Sequence, residues 1–436
     1  MVFPILPANT LSGGYDISGS CRFNLADSPA LSYSFSSTAS SWTVSFWTKL
    51  TDKQNDNTMY PWSFGTAGSD AAGNSFSSSG LAYYDEDGGT LIRDTSILFR
   101  DPSAWYHVVC KNDGGTITTY MNGVQQATGS GGEALDGSTF YIGRFAGSTA
   151  YHLDGYISEF YFIDGTAYSP STFAETDEDS GIWKPKSASV TFGSDGLFLQ
   201  FKQTGTSADS SGIGADTSGN DNHMTVTNLA ATDVTTDTPT NNFCTWNPLA
   251  QSSYMTLSEG NCATLGNSAS NNGNVASTFS LSKGKWYFEY KMTDRSGGYP
   301  TFLVYPNGSA DAHRPLLDGG TGGGAWVSST YYRQAGDLND PSDGDIIGVR
   351  LNMDDEEIKF YHNDSHVSGQ DIDTGGSTDL FFGMAEYNGS DSEANFGNPS
   401  FSISSGNADA NGYGNFEYAV PSGFYALCTK NLAKYG

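Results

Sequence analysis

Apolar residues recur along much of this chain at every second position. In Trp42-Thr43-Val44-Ser45-Phe46-Trp47-Thr48-Lys49, the side chains of Val44, Phe46 and Thr48 fall on one face, as a pleated strand requires. Trp105 to Cys110 and Thr116 to Met121 alternate in the same way, separated by Asn112-Asp113-Gly114-Gly115 and followed at once by Asn122-Gly123. Asn and Gly reach positive φ at little cost, and tight hairpin turns need it, so the stretch predicts consecutive antiparallel hairpins. Tyr141 to Arg144 and Leu153 to Gly165 continue the pattern.

Later in the chain, Lys285 to Met292 places Trp286, Phe288, Tyr290 and Met292 on one face and Tyr287, Glu289 and Lys291 on the other. Asp345 to Met353 and Ile358 to Tyr361 form another pair, with the acidic tetrad Asp354-Asp355-Glu356-Glu357 as their hairpin turn. No stretch of even about 12 residues keeps a 3.6-residue apolar period free of Gly and Pro, so helix is expected to be scarce. The predicted fold class is all-β.

Between the two aromatic regions the composition changes. Residues 203–249 are dominated by Thr, Ser, Asp, Asn and Gly, as in Asp209-Ser210-Ser211-Gly212 and Thr235-Thr236-Asp237-Thr238-Pro239-Thr240, and this predicts a polar connector. A chain of 436 residues is also too long for one ordinary core. The expected organisation is an N-terminal arm over 1–14, a jelly roll over 15–202 that includes Gly196 to Phe201 as a further strand, the connector over 203–249, and a second β-sandwich over 250–436.

Charge narrows the partners. With 48 Asp and Glu against 20 Lys and Arg, the net charge of -28 repels phosphate backbones and anionic membrane surfaces. Nucleic acid is therefore not expected as a partner. No apolar run of roughly 18 residues is present, so membrane insertion by a helix is not expected either. Met1 to Pro7 lacks a basic start and is broken by prolines, unlike a signal peptide. Five widely spaced cysteines, Cys21, Cys110, Cys244, Cys262 and Cys428, suit neither a disulfide framework nor a zinc site and are expected as free, mostly buried thiols of a protein folded in a reducing cytoplasm.

In wording and order, Trp105 to Ile163 resembles the laminin-G/concanavalin A-like lectin fold. A second resemblance is carried by Ser282 to Glu289, Gly344 to Val349, Ile358 to Tyr361 with Asn363, Ala394-Asn395-Phe396-Gly397 and Pro421 to Cys428, which follow the order of a SPRY-type β-sandwich. Phe162-Ile163-Asp164-Gly165, Gly181 to Lys186, Asp216 to Asn220 and Asp237 to Phe243 resemble connecting phrases in structural proteins of tailed phages, notably marine ones. These resemblances imply an external virion protein, made in the host cytoplasm, that serves as a tail fibre, spike or head decoration. They imply a non-enzymatic adhesin for host-surface glycans, in contact with other virion proteins and forming a homo-oligomer. A capsid or tail decoration with a mainly stabilising role, a polysaccharide depolymerase and a cellular surface lectin remain alternatives, and the lack of an export sequence counts against the last.

Glucanases share the lectin-like fold, and their reaction needs two carboxylates at fixed separation across a sugar-binding cleft. Glu175-Thr176-Asp177-Glu178-Asp179 has Asp179 where the second Glu of the glucanase strand belongs and precedes Trp183 in a polar turn, and Tyr84-Asp85-Glu86-Asp87-Gly88 fares no better. No catalytic residue is assigned. The six histidines are scattered, without an HExxH pair, and His107 on its alternating strand is expected to be a hydrogen-bonded structural residue. Asp-rich loops leave room for a structural Ca²⁺, but none matches an EF-hand, so no ligand is named and no other cofactor is expected. The better lead is aromatic: Tyr60 and Trp62, Tyr83 and Tyr84, and Trp326, Tyr331 and Tyr332 stand beside Gly-rich or acidic stretches. Sugar C–H faces lie well on such rings while Asp and Asn take the hydroxyls, so these seven residues are the candidate glycan-binding set. The competing reading packs them on their own sheets, which the 14% aromatic content favours. Gly319 to Gly324 lacks the Lys of a phosphate loop and is expected as a flexible turn.

Overall fold

The computed structural model describes residues 14–35, 40–51, 58–65, 71–78, 80–85, 90–94, 99–132, 139–295, 300–305, 326–327, 332–334, 338, 340–374 and 379–436. The chain divides into two compact units, with the boundary between Asn241 and Asn242. Each is a two-sheet sandwich of mainly antiparallel strands.

In the first unit, one sheet runs in the order Val124–Ser130, Thr116–Met121, Tyr106–Asp113, Trp42–Leu50, Gly155–Asp164, Ser20–Phe23 and Val234–Thr235. The second runs Thr225–Thr227, Ala30–Ser34, Thr139–Ile142, Met59–Gly65, Ala72–Ser77, Gly80–Asp85 and Thr90–Asp94. The predicted hairpins are present: Tyr106–Asp113 pairs with Thr116–Met121 through Gly114 and Gly115, both at positive φ, and Asn122-Gly123 turns the chain into Val124–Ser130. Val44 and Phe46 enter the core between the sheets with Phe140, Phe160 and Phe162. The outer face of the first sheet is covered in turn by Trp105, Phe173, Trp183, Phe192 and Phe198, which pack on Trp47, Tyr156 and Tyr161.

The stretch expected as a connector is, up to Asn241, an integral part of this unit. Thr225–Thr227 pairs with Ala30–Ser34 and closes an edge of the second sheet, and Val234–Thr235 pairs with Ser20–Phe23 at an edge of the first. Its few apolar residues, Ile213, Met224 and Leu229, enter the core. Its acids answer two buried cations. Arg22 donates through Nη2 to the Thr232 carbonyl at 2.6 Å and lies 3.8 Å from Asp233, while the Lys49 ammonium sits directly on the Asp237 carboxylate. Burying a charge is costly unless it is paired, and these strands draw their partners from about two hundred residues along the chain.

In the second unit, Lys285–Asp294 lies between Ile346–Asn352 and Asp391–Asn395 in one sheet, and Gly273–Leu281, Leu380–Glu386 and Thr301–Tyr305 form the heart of the other. Trp286, Phe288, Tyr290 and Met292 enter the core, whereas Tyr287 packs outside with Phe243 and Phe416, as alternation predicts. The turn spans Met353 to Glu356, with Glu356 at φ 57°, and takes in three of the four acids; Glu357, expected in the turn, already belongs to Glu357–His362 and pairs with Asn352. Among the described residues the one α-helix is Thr429–Tyr435, and all five cysteines are buried thiols outside any disulfide.

Candidate functional site

The structure splits the seven aromatic candidates. Trp62 and Tyr83 are fully buried core residues, not exposed loop rings. Trp62 meets Trp42 edge-on at 5.5 Å and stacks with Phe140 at 5.7 Å, and its Nε1 donates to Asn74 Oδ1 at 2.8 Å. Trp326 and Tyr332 lie on the paired strands Trp326–Val327 and Tyr332–Gln334. Tyr331 and Gly319 to Gly324 lie outside the described residues. Tyr60 and Tyr84 come together on the outer face of the second sheet of the first unit.

A bulge explains why Tyr60 and Trp62 part company. Met59 is opposite Phe76 and Trp62 is opposite Asn74, so three steps on one strand match two on the other. The extra residue reverses the alternation, sending Met59 and Trp62 inward and Tyr60 outward. Pro61, which has no N–H to give a ladder, sits within the bulge and accepts from the Gly143 amide at 2.9 Å. For Tyr83 and Tyr84 the cause is simpler, since neighbours on a strand point to opposite faces.

Around Tyr60 and Tyr84 gather residues that the sequence reading passed over. Tyr60 stacks on Phe145 at 4.2 Å, Tyr84 lies 6.2 Å from Phe145, and Tyr151 lies 6.2 Å from Tyr60. The Arg144 guanidinium lies 4.4 Å over the Tyr141 ring. Phe145 reaches this place because the hairpin of Arg144–Phe145 and Ser148–His152 folds over Met59–Gly65. Ser63 pins it from below, donating through Oγ to the Arg144 carbonyl and accepting from the Ala146 amide, both at 2.8 Å. Tyr60 and Phe145 are buried as the floor, Tyr84 and Tyr141 are half-buried, and Tyr151 and Leu91 stand 43% and 50% exposed. The available signal was Gly143-Arg144-Phe145-Ala146-Gly147, a turn-forming stretch carrying a ring between two strands.

The titratable candidates have structural roles. Asp177 turns the chain between Ala174–Thr176 and Trp183–Pro185; the Lys184 ammonium at 2.7 Å and the Ser180 amide and hydroxyl hold its carboxyl well below the usual carboxylate range. Asp85 ends its strand, and Glu86 to Gly88 lie outside the described residues. His107 is buried and stacked on Trp47 at 4.9 Å. Trp183 Nε1, which can only donate, points at Nδ1 from 3.1 Å, so the neutral ring carries its proton on Nε2 and donates to Ser45 Oγ at 2.9 Å. Burial pushes its pKa down to about 3. Glu159, at φ 48° in a bulge of Gly155–Asp164, accepts from Tyr15 at 2.9 Å and Tyr161 at 3.1 Å, and burial pushes its carboxyl up to about 7. Among the described residues no group of three or more His, Cys, Asp or Glu side chains is placed to hold a metal ion.

Residues 26–172 match the family model of the concanavalin A-like lectin/glucanases superfamily, so the first unit contains a lectin-like domain. No curated protein matches the chain in sequence. Among solved structures, similarity extends to a heptameric SAP-like pentraxin from Limulus polyphemus, at 20% identity and a TM-score of 0.28, covering 36% of this chain and 80% of that one. A putative carbohydrate-binding protein from Bacteroides ovatus is similar at 21% identity and a TM-score of 0.34, with 49% of this chain and 58% of that one covered. The SPRY domain of human HERC1 is similar at 14% identity and a TM-score of 0.26, with 34% and 96% covered.

Proposed function

We propose that the first unit is a non-enzymatic glycan-binding module and that the chain is an adhesin on the outside of a phage particle. The observation that carries the binding reading is the aromatic floor and rim built from Tyr60, Tyr84, Tyr141, Phe145 and Tyr151 on the outer face of a lectin-like sheet. Tyr151 and Tyr84 offer ring faces for sugar C–H groups, and Arg144 offers guanidinium donors for hydroxyls or carboxylates. The virion reading is supported by the phage-like phrases between Phe162 and Phe243 and by five reduced, buried thiols.

Glycan-array and host-cell binding of the purified chain test the first part. Tyr151→Ala and Tyr84→Ala are each expected to cost about 1 kcal/mol, roughly fivefold in Kd, without loss of folding. Wild-type protein that binds neither array nor cells, or binding untouched by both substitutions, overturns the reading and favours a stabilising decoration. For the second part, the protein is expected in purified virions, with a label on it at the particle's periphery.

A further inference from the structure

We infer that Lys49 and Asp237 join in an intramolecular isopeptide bond. The Lys49 Nζ and Asp237 Oδ2 are in direct contact, and the two side chains are 1% and 0% exposed. The walls around them are aromatic: Nζ lies 4.9 Å from the centre of the Tyr156 ring and 5.9 Å from that of Trp105, in a buried cluster with Ile17 and Trp47. Two opposite charges in such surroundings forfeit hydration, whereas the amide formed from them is neutral and needs far less. The site also excludes the water that would reverse the reaction.

The reacting groups are held from several sides. Lys49 belongs to the central strand Trp42–Leu50 and is in register with Tyr156. Asp237 is fixed by its backbone, its carbonyl accepting from Ser20 Oγ at 2.5 Å and its amide facing Thr235 Oγ1 at 3.2 Å. Such placement supplies much of what a bimolecular condensation lacks. The second carboxylate oxygen, Oδ1, accepts from Trp105 Nε1 at 3.2 Å. That indole N–H faces the oxygen on which negative charge gathers when the carboxyl carbon becomes tetrahedral.

The atoms balance within the pair. One ammonium proton passes to Oδ2, and the freed amine attacks Cγ. The Nζ–Cγ bond forms, the Cγ–Oδ2 bond breaks, and Oδ2 leaves as water with that proton and a second from nitrogen. No oxidant or external reagent is needed. The product closes a covalent loop over a sequence separation of 188 residues, fastening the end of the first unit to its central strand.

Intact mass of the full denatured chain decides the matter. The expected mass is lower than that of the sequence by one water, about 18 Da, and digestion yields a branched peptide joining Lys49 to Asp237. Lys49→Arg keeps the cation and is expected to restore the full sequence mass. An unmodified wild-type mass, a water lost elsewhere in the chain, or a Lys49→Arg variant that remains lighter by one water overturns the inference.

Discussion

Glu386→Gln isolates a single buried carboxyl in the second unit. Glu386 ends Leu380–Glu386 and accepts from Thr264 Oγ1 at 2.9 Å, Ser392 Oγ at 2.7 Å and Ser390 Oγ at 2.7 Å. Burial outweighs these three donors and pushes its pKa from the ordinary 4.5 up to about 8. Between those values the folded chain holds a proton that the unfolded chain has released. The stabilisation is therefore complete below about pH 4.5 and is lost as the pH rises through 8. The interval corresponds to at most about 5 kcal/mol, and we expect about 2 to 5 to be realised. Gln keeps the shape and cannot titrate, and the rotatable hydroxyls can accept from its amide. Hydrogen exchange read on peptides covering 380–395, corrected for the intrinsic pH dependence of exchange, should show wild-type protection falling between pH 5.5 and 8.5 by more than about tenfold, a change absent from Glu386→Gln. An equal pH dependence in both proteins refutes the reasoning.

Four further outcomes follow from the same geometry. Trp62→Ala removes a fully buried ring between the sheets and should destabilise the first unit by about 3 to 5 kcal/mol in urea unfolding, whereas Tyr151→Ala at the exposed rim should change it by less than about 1 kcal/mol. Gly73→Ala places a Cβ 2.4 Å from the Trp62 carbonyl oxygen, so the bulged strand must shift, and a fall in melting temperature is expected. Because the folded state holds His107 neutral with its pKa near about 3, the first unit should lose stability as the pH falls from 6.5 towards that value, and His107→Gln should flatten this acid limb in pH-dependent unfolding. Limited proteolysis should leave residues 203–241 on the first unit's fragment, since their strands and buried acids belong to it.

Much of the fold was legible because a strand writes its period in its own residues. Trp42–Leu50 and Lys285–Asp294 each show which side chains enter the core without reference to any neighbour. The separation of Tyr60 from Trp62 could not be seen in this way. Their i, i+2 spacing promises a shared face, and only the register against Ala72–Ser77, with one residue more on the Met59 side, reverses it. The aromatic face escaped for a related reason, since Phe145 joins Tyr60 only when a hairpin 85 residues further along folds back over the strand and Ser63 holds it there. Local pattern identified the rings, and non-local pairing chose which of them meet.

The polar stretch after Gln203 shows where composition misleads. A segment poor in apolar residues is read as solvated because it cannot bury enough surface alone. Here the burial is supplied by the sheets it joins. Arg22 and Lys49 sit on strands whose surroundings exclude water, so each needs an acid brought to it within the fold. A chain with 48 acids and only 20 Lys and Arg can meet that demand from almost anywhere, so the identity of the partner is fixed by topology rather than by local sequence. Asp233 and Asp237 qualify because Val234–Thr235 pairs beside Ser20–Phe23, setting Asp233 near Arg22 and Asp237 against Lys49. The polar residues that suggested a connector are the ones that fasten it.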